Sequence, residues 1–117
     1  MFESMSGADQ IALLKDAVEN FPDIDAMHAE LLAAYKQRDL NGLMAISEAS
    51  MQHGDQRLAD EFQQHLIVDR NNRMAERMQQ YLQQGKVFIA VGALHLPGAE
   101  GLLNLLEQQG YTVRRIY

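Results

Sequence analysis

Residues 86 to 98 read Lys86-Val-Phe-Ile-Ala-Val-Gly-Ala-Leu-His95-Leu-Pro-Gly98, and the fold turns on how this stretch is read. Five apolar residues, Val87 to Val91, run straight into Gly92. A continuous apolar run bounded by turn residues reads as a strand buried on both faces. Beyond it, Leu102, Leu103, Leu105 and Leu106 predict a helix over 99–109, with Gly110 as its cap. Residues 111–116 then read as a second strand. Strand, helix and strand make a βαβ unit, whose return strand is expected to be parallel with a right-handed crossover.

Everything before Gly85 reads as helix after helix. Ser6 or Asp9 can cap a first helix that sets Ile11, Leu14 and Val18 on one face. Phe21-Pro22-Asp23 ends it, with Pro22 expected to hold Phe21 extended. Asp23 or Asp25 opens a second helix, in which Met27, Leu31, Ala34 and Tyr35 form a buried stripe. Leu40, Leu43, Met44, Ser47 and Met51 give a shorter third helix, with Gly54 suited to a left-handed position after it. Asp55 caps a fourth helix bearing Leu58, Phe62 and Leu66. Asp69 starts a fifth helix or kinks one long one, lined by Met74, Met78, Tyr81 and Leu82 and stopped at Gly85. The expected class is therefore α+β: a helical part over 1–85, then a small, partial parallel sheet over 86–117, all in a single domain. Two parallel strands do not hold a sheet alone. The sheet is expected to be completed from outside these residues, by a missing N-terminal half or by another copy of the chain. A homo-oligomer is the corresponding expectation for the chain itself.

Composition narrows the function classes. The 117 residues carry a net charge of -6, with only ten Lys and Arg, and these are scattered. Nucleic-acid binding draws on a basic face that releases phosphate counterions, so no nucleic-acid partner is expected. The absence of cysteine excludes disulfides and thiolate metal sites. No run of 18 apolar residues exists, so no membrane span is expected. The first residues, Met1-Phe2-Glu3-Ser4-Met5-Ser6, lack the charged and apolar regions of a signal peptide.

The chemistry-bearing residues are few. In an open α/β sheet, ligands bind beyond the carboxyl ends of the strands, which is where His95 falls. An imidazole there can ligate a metal or transfer a proton near neutral pH; equally, it can hydrogen-bond a carbonyl and stabilise its loop. Gly92 is expected to turn the backbone sharply under His95, Pro97 to keep Leu96 extended, and Gly98 to open the next helix. The glycines at 92, 98 and 101 match neither the dinucleotide nor the Walker spacing. Arg70 can clamp a carboxylate or phosphate, or pair with Asp69 or Glu76 on a solvated face. His28, His53 and His65 share no ligand spacing, and the methionines sit mostly at core positions.

Val91-Gly92-Ala93-Leu94-His95-Leu96-Pro97-Gly98, with Gly101-Leu102-Leu103 and Gln109-Gly110-Tyr111-Thr112-Val113, resembles the C-terminal end of the TraB/GumN family, which includes the Tiki metalloproteases. Gly92 and His95 meet its G-x-x-H motif, and Asp69-Arg70-Asn71 with Met74 resembles a second family element. The resemblance implies a hydrolase, with metal-dependent proteolysis in the Tiki branch. It implies His95 as a metal ligand or acid/base group, Arg70 and Asn71 as further catalytic candidates, and a divalent metal in the full-length parent. Family members carry two G-x-x-H motifs on a chain more than twice this long, and here there is one. The chain thus reads as the C-terminal half of a longer protein, inactive alone, whose parent is periplasmic or secreted as GumN-type proteins often are. The alternative is a non-catalytic helical binding or assembly module in which His95 is structural.

Overall fold

The computed structural model describes residues 5–116. Its elements are α1 (Gly7–Glu19), α2 (Ile24–Lys36), α3 (Leu40–Ser50), α4 (Gln56–Gln63), α5 (Asp69–Gln84) and α6 (Leu102–Gln108). Short 3-10 turns lie at Phe21–Asp23 and Ala93–His95, and a π-helical turn, Gln64–Val68, joins α4 to α5. The helix starts obey capping chemistry. Ser6 Oγ accepts from the Asp9 N–H, Asp39 from Gly42, and Asp55 from Arg57 and Leu58. Asp23 precedes α2 but its side chain caps nothing.

The expected sheet is not there. Residues 86–92 and 111–116 are extended, yet no strand forms among the described residues, and the fold is all-helical rather than α+β. A strand exists only through a ladder to a neighbour. The two segments make no backbone hydrogen bonds to each other or to anything else described across 87–91 and 112–116. Nor is the first of them buried on both faces: Phe88 is 91% exposed, and Val87 and Ile89 are 40% exposed. The apolar run is real, but this chain offers it neither an edge to pair with nor two layers to cover it.

Other local readings are corrected as well. Ile11, Leu14 and Val18 share a face of α1, but that face is exposed and α1 buries no residue. Tyr35 and Tyr81 are also largely exposed. Phe21 begins a 3-10 turn instead of extending. Gly54 does not adopt a left-handed backbone; Arg38 does, at φ 59°, closing α2 with an Asp39 N–H bond back to the Ala34 carbonyl. Leu96 is helical (φ -85°, ψ -48°) despite preceding Pro97, because its N–H closes the 3-10 turn on the Ala93 carbonyl. Gly92 has an ordinary extended backbone and forces no sharp turn. Gly98, at φ 86°, precedes a turn rather than opening the helix, which starts at Leu102 with Gly101 as its cap.

The packing that matters for function lies around residues 91–102. Ala75, Met78 and Leu102 form the core, with Met74, Leu82, Val91, Leu96, Leu105 and Leu106 packed against it. Helix α3 packs on α2 and on the 3-10 turn at Ala93–His95, and α5 packs on α6. Gln79 ties the two helices further, bonding Gln109 and accepting from the Tyr111 hydroxyl at 3.0 Å. Arg115 donates to the Arg38 carbonyl at 2.9 Å and so holds the C-terminal segment against the α2–α3 turn.

Candidate functional site

His95 ends the 3-10 turn that packs on α3 and is 9% exposed. Asn71, in the first turn of α5, is fully buried. Its amide nitrogen donates to the Glu100 carbonyl at 2.7 Å, and its Oδ1 lies 2.7 Å from His95 Nδ1. Two residues 24 apart in sequence are thus joined in the interior, and a third segment is tied in through its backbone. An unpaired buried amide would cost about 1–3 kcal/mol. Here no buried side-chain nitrogen or oxygen among the described residues lacks a partner.

The route by which Asn71 reaches the interior runs through the π turn. Such turns insert one residue into the helical count and re-phase every later position on the helix. Asn71 comes three residues after Val68, the end of the turn. Asp69 holds the turn from outside, accepting from Gln64 Nε2 at 2.8 Å and facing His65 Nδ1 at 2.9 Å. The Gln64 bond first, and the His65 contact second, keep the Asp69 carboxyl below its usual range. Asp69 is therefore engaged with the turn behind it and does not pair with Arg70. Arg70 is exposed and forms no hydrogen bond or ion pair among the described residues. Its charge nevertheless reaches the imidazole: burial first, and Arg70 second, lower the His95 pKa below its ordinary value.

The three sequence candidates are thus brought to one place, with unequal roles. His95 and Asn71 are bonded, and Arg70 acts on His95 only through its field. Beside them lies a shallow hollow of about 480 Å³, whose lining includes His28, Leu32, Tyr35, Ile67, Ala93 and His95. Gly92 borders it, and a Cβ there would stand 3.5 Å from His95 Cδ2, an ordinary contact. Pro97 and Gly98 line a separate cleft with Leu40, Leu43 and Val113. Sequence reasoning did not find His28, which shares no spacing with His95; α2 packs on α3, and α3 on the 93–95 turn, so that His28 and His95 line the same hollow. It also gave no role to Gly101. A Cβ at Gly101 would collide with the Pro97 carbonyl oxygen, so this glycine is what lets the loop close over the Asn71–Glu100 bond.

The described residues contain no group of three or more His, Asp or Glu side chains arranged to hold a metal ion. His95 alone does not make up the three or four protein ligands of a zinc site. The residues present therefore do not fit a complete metal centre, and no step of the chemistry is routed through one. No helix among the described residues is long and apolar enough to cross a membrane.

The metalloprotease TIKI2 of Danio rerio is 39% identical over 61 residues, which is 50% of this chain and 12% of that protein. The chain thus spans about an eighth of the length of the curated relative it matches. No solved structure matches. The sequence profile of the TraB/PrgY/gumN family matches residues 1–115, nearly the whole chain. With that coverage, the chain belongs to the TraB/PrgY/gumN family.

Proposed function

We propose that this chain carries part of the active site of a TraB/GumN-type hydrolase, protease-like as in the Tiki branch, and that it is inactive alone. Metal dependence belongs to that proposal, with His95 as one ligand or as an acid/base group and the remaining ligands supplied from outside residues 1–117. The observation that carries the reading is the buried Asn71–His95 pair beside an open hollow, in a chain of this family. Arg70, exposed and close enough to act on His95, is assigned to a substrate carboxylate or to a developing anion.

The test uses the longer protein that carries this segment, assayed for metal-dependent cleavage of a peptide library. Activity should fall by roughly a hundredfold or more in His95→Ala, as loss of a positioned acid/base group does, and by a smaller factor in Arg70→Lys. The 117-residue chain alone should turn nothing over. Full activity in His95→Ala would overturn the assignment. A non-catalytic binding or assembly module is the second reading. It is favoured by the exposed apolar face of Ile11, Leu14, Val18 and Phe21. Absence of hydrolysis, together with partner-dependent burial of that face, would select it.

A further inference from the structure

The Asn71–His95 contact fixes more than a position. The Glu100 carbonyl can only accept, so the Asn71 atom 2.7 Å from it is the amide nitrogen. That settles which way the carboxamide points, and its Oδ1 faces His95 Nδ1 at 2.7 Å. An amide oxygen has lone pairs and no hydrogen, so Nδ1 must be the donor. A neutral imidazole carries one N–H. The proton is therefore on Nδ1, and Nε2 holds the free lone pair.

The direction of Nε2 is set by the same contacts. It makes no hydrogen bond among the described residues, yet no buried side-chain nitrogen lacks a partner. Nε2 is therefore not sealed in the interior but open, while Nδ1 faces a fully buried amide that water cannot replace. His95 lines the hollow beside it.

We infer that Asn71 is a positioning residue: it locks His95 as the Nδ1–H tautomer and presents the Nε2 lone pair to the hollow. A lone pair held in one place is what a ligand nitrogen or a general base needs, and a partner on the other ring nitrogen is the usual means of holding it. The catalytic use of that lone pair rests on the reading given under Proposed function. The lock itself does not.

The experiment is a long-range nitrogen–proton correlation spectrum of the nitrogen-labelled chain, taken at mildly alkaline pH where imidazole is neutral. The His95 signals are assigned by their loss in His95→Asn. In the wild-type chain His95 should show a protonated Nδ1 and a bare Nε2. In Asn71→Leu, which fills the space but accepts nothing, the proton should shift to Nε2 in most molecules. In Asn71→Asp, which keeps the acceptor, it should stay on Nδ1. A wild-type spectrum with the proton on Nε2 overturns the inference, whatever the variants do. So does a folded Asn71→Leu chain that keeps the proton on Nδ1. If Asn71→Leu does not fold, Asn71→Asp decides: a proton on Nε2 there removes Asn71 as the cause. A parent protein without hydrolase activity would sink the functional reading and leave this spectrum unchanged, so the two failures are distinguishable.

Discussion

Asn71 and Gly101 show how single residues control the site from opposite directions. Asn71 supplies two hydrogen bonds that nothing else buried nearby can make, and Gly101 supplies the absence of a side chain. Gly101→Ala places a methyl against the Pro97 and Leu96 carbonyls, which are backbone and cannot swing aside. It should destabilise by about 1–3 kcal/mol, read as a lower urea midpoint. Gly92→Ala makes a useful contrast. Its backbone is ordinary and its Cβ would find normal contact distance. The change should therefore stay within about 0.5 kcal/mol. A large loss in Gly92→Ala would mean that the loop under His95 is tighter than its geometry indicates.

At the scale of elements, the helix ends hold the architecture. Gly85 ends α5 at φ 73°, ψ 175°, a region that side chains rarely enter. Its Cβ would meet no atom, so strain alone opposes a side chain there. Gly85→Ala should still cost about 1–3 kcal/mol by chemical denaturation. Helix α1 is held differently. It buries nothing, and the Asp9–Arg57 pair at 2.7 Å ties it to α4. The Ser6 hydroxyl first, and Arg57 second, lower the Asp9 pKa below the ordinary 3.8. Its folded-state pKa is depressed, so the tether's contribution is present above pH 3.8 and lost as pH falls through the folded value. Amide exchange in α1 should therefore rise selectively under acid, and Asp9→Asn should produce the same rise at neutral pH. The pair is exposed, so global stability should change little. Slow exchange in α1 of Asp9→Asn would show that apolar contacts hold the helix instead.

The whole molecule is too open for its length. Its radius of gyration is 16.4 Å, against about 13 Å expected for a compact chain of this size. Its accessible surface is 8823 Å², against roughly 6,400 Å² for a folded monomer of this mass. Large apolar residues that face outward include Ile11, Leu14 and Val18 of α1, Phe88 and Ile116. Exposed apolar surface of this kind favours association with a partner. We therefore expect the isolated chain to self-associate through an interface above roughly 2,000 Å², as obligate partners do. Sedimentation at low micromolar concentration checks this, and a cooperatively folding 13.2 kDa monomer would refute it. Titration with zinc, manganese or cobalt should show no submicromolar binding to the chain. Tight binding abolished by His95→Ala would mean that the chain or its oligomer completes a metal site.

The helices and the residues worth testing were legible in the order of amino acids. Caps and hydrophobic spacing are local, so Ser6 and Asp55 mark helix starts wherever the chain folds, and Gly85 marks an end. Periodicity also named Leu43, Leu58 and Met78, each of which is buried. Of the site, His95, Arg70 and Asn71 were legible through the resemblance of short motifs, but as separate candidates. Only the packed chain shows that Asn71 reaches His95 across 24 residues, that Arg70 bonds to neither, and that His28 borders the same hollow. Packing also ruled out the sheet. An apolar run records what a segment would bury, but a strand needs hydrogen-bonding partners, and whether they exist depends on what the rest of the chain brings alongside.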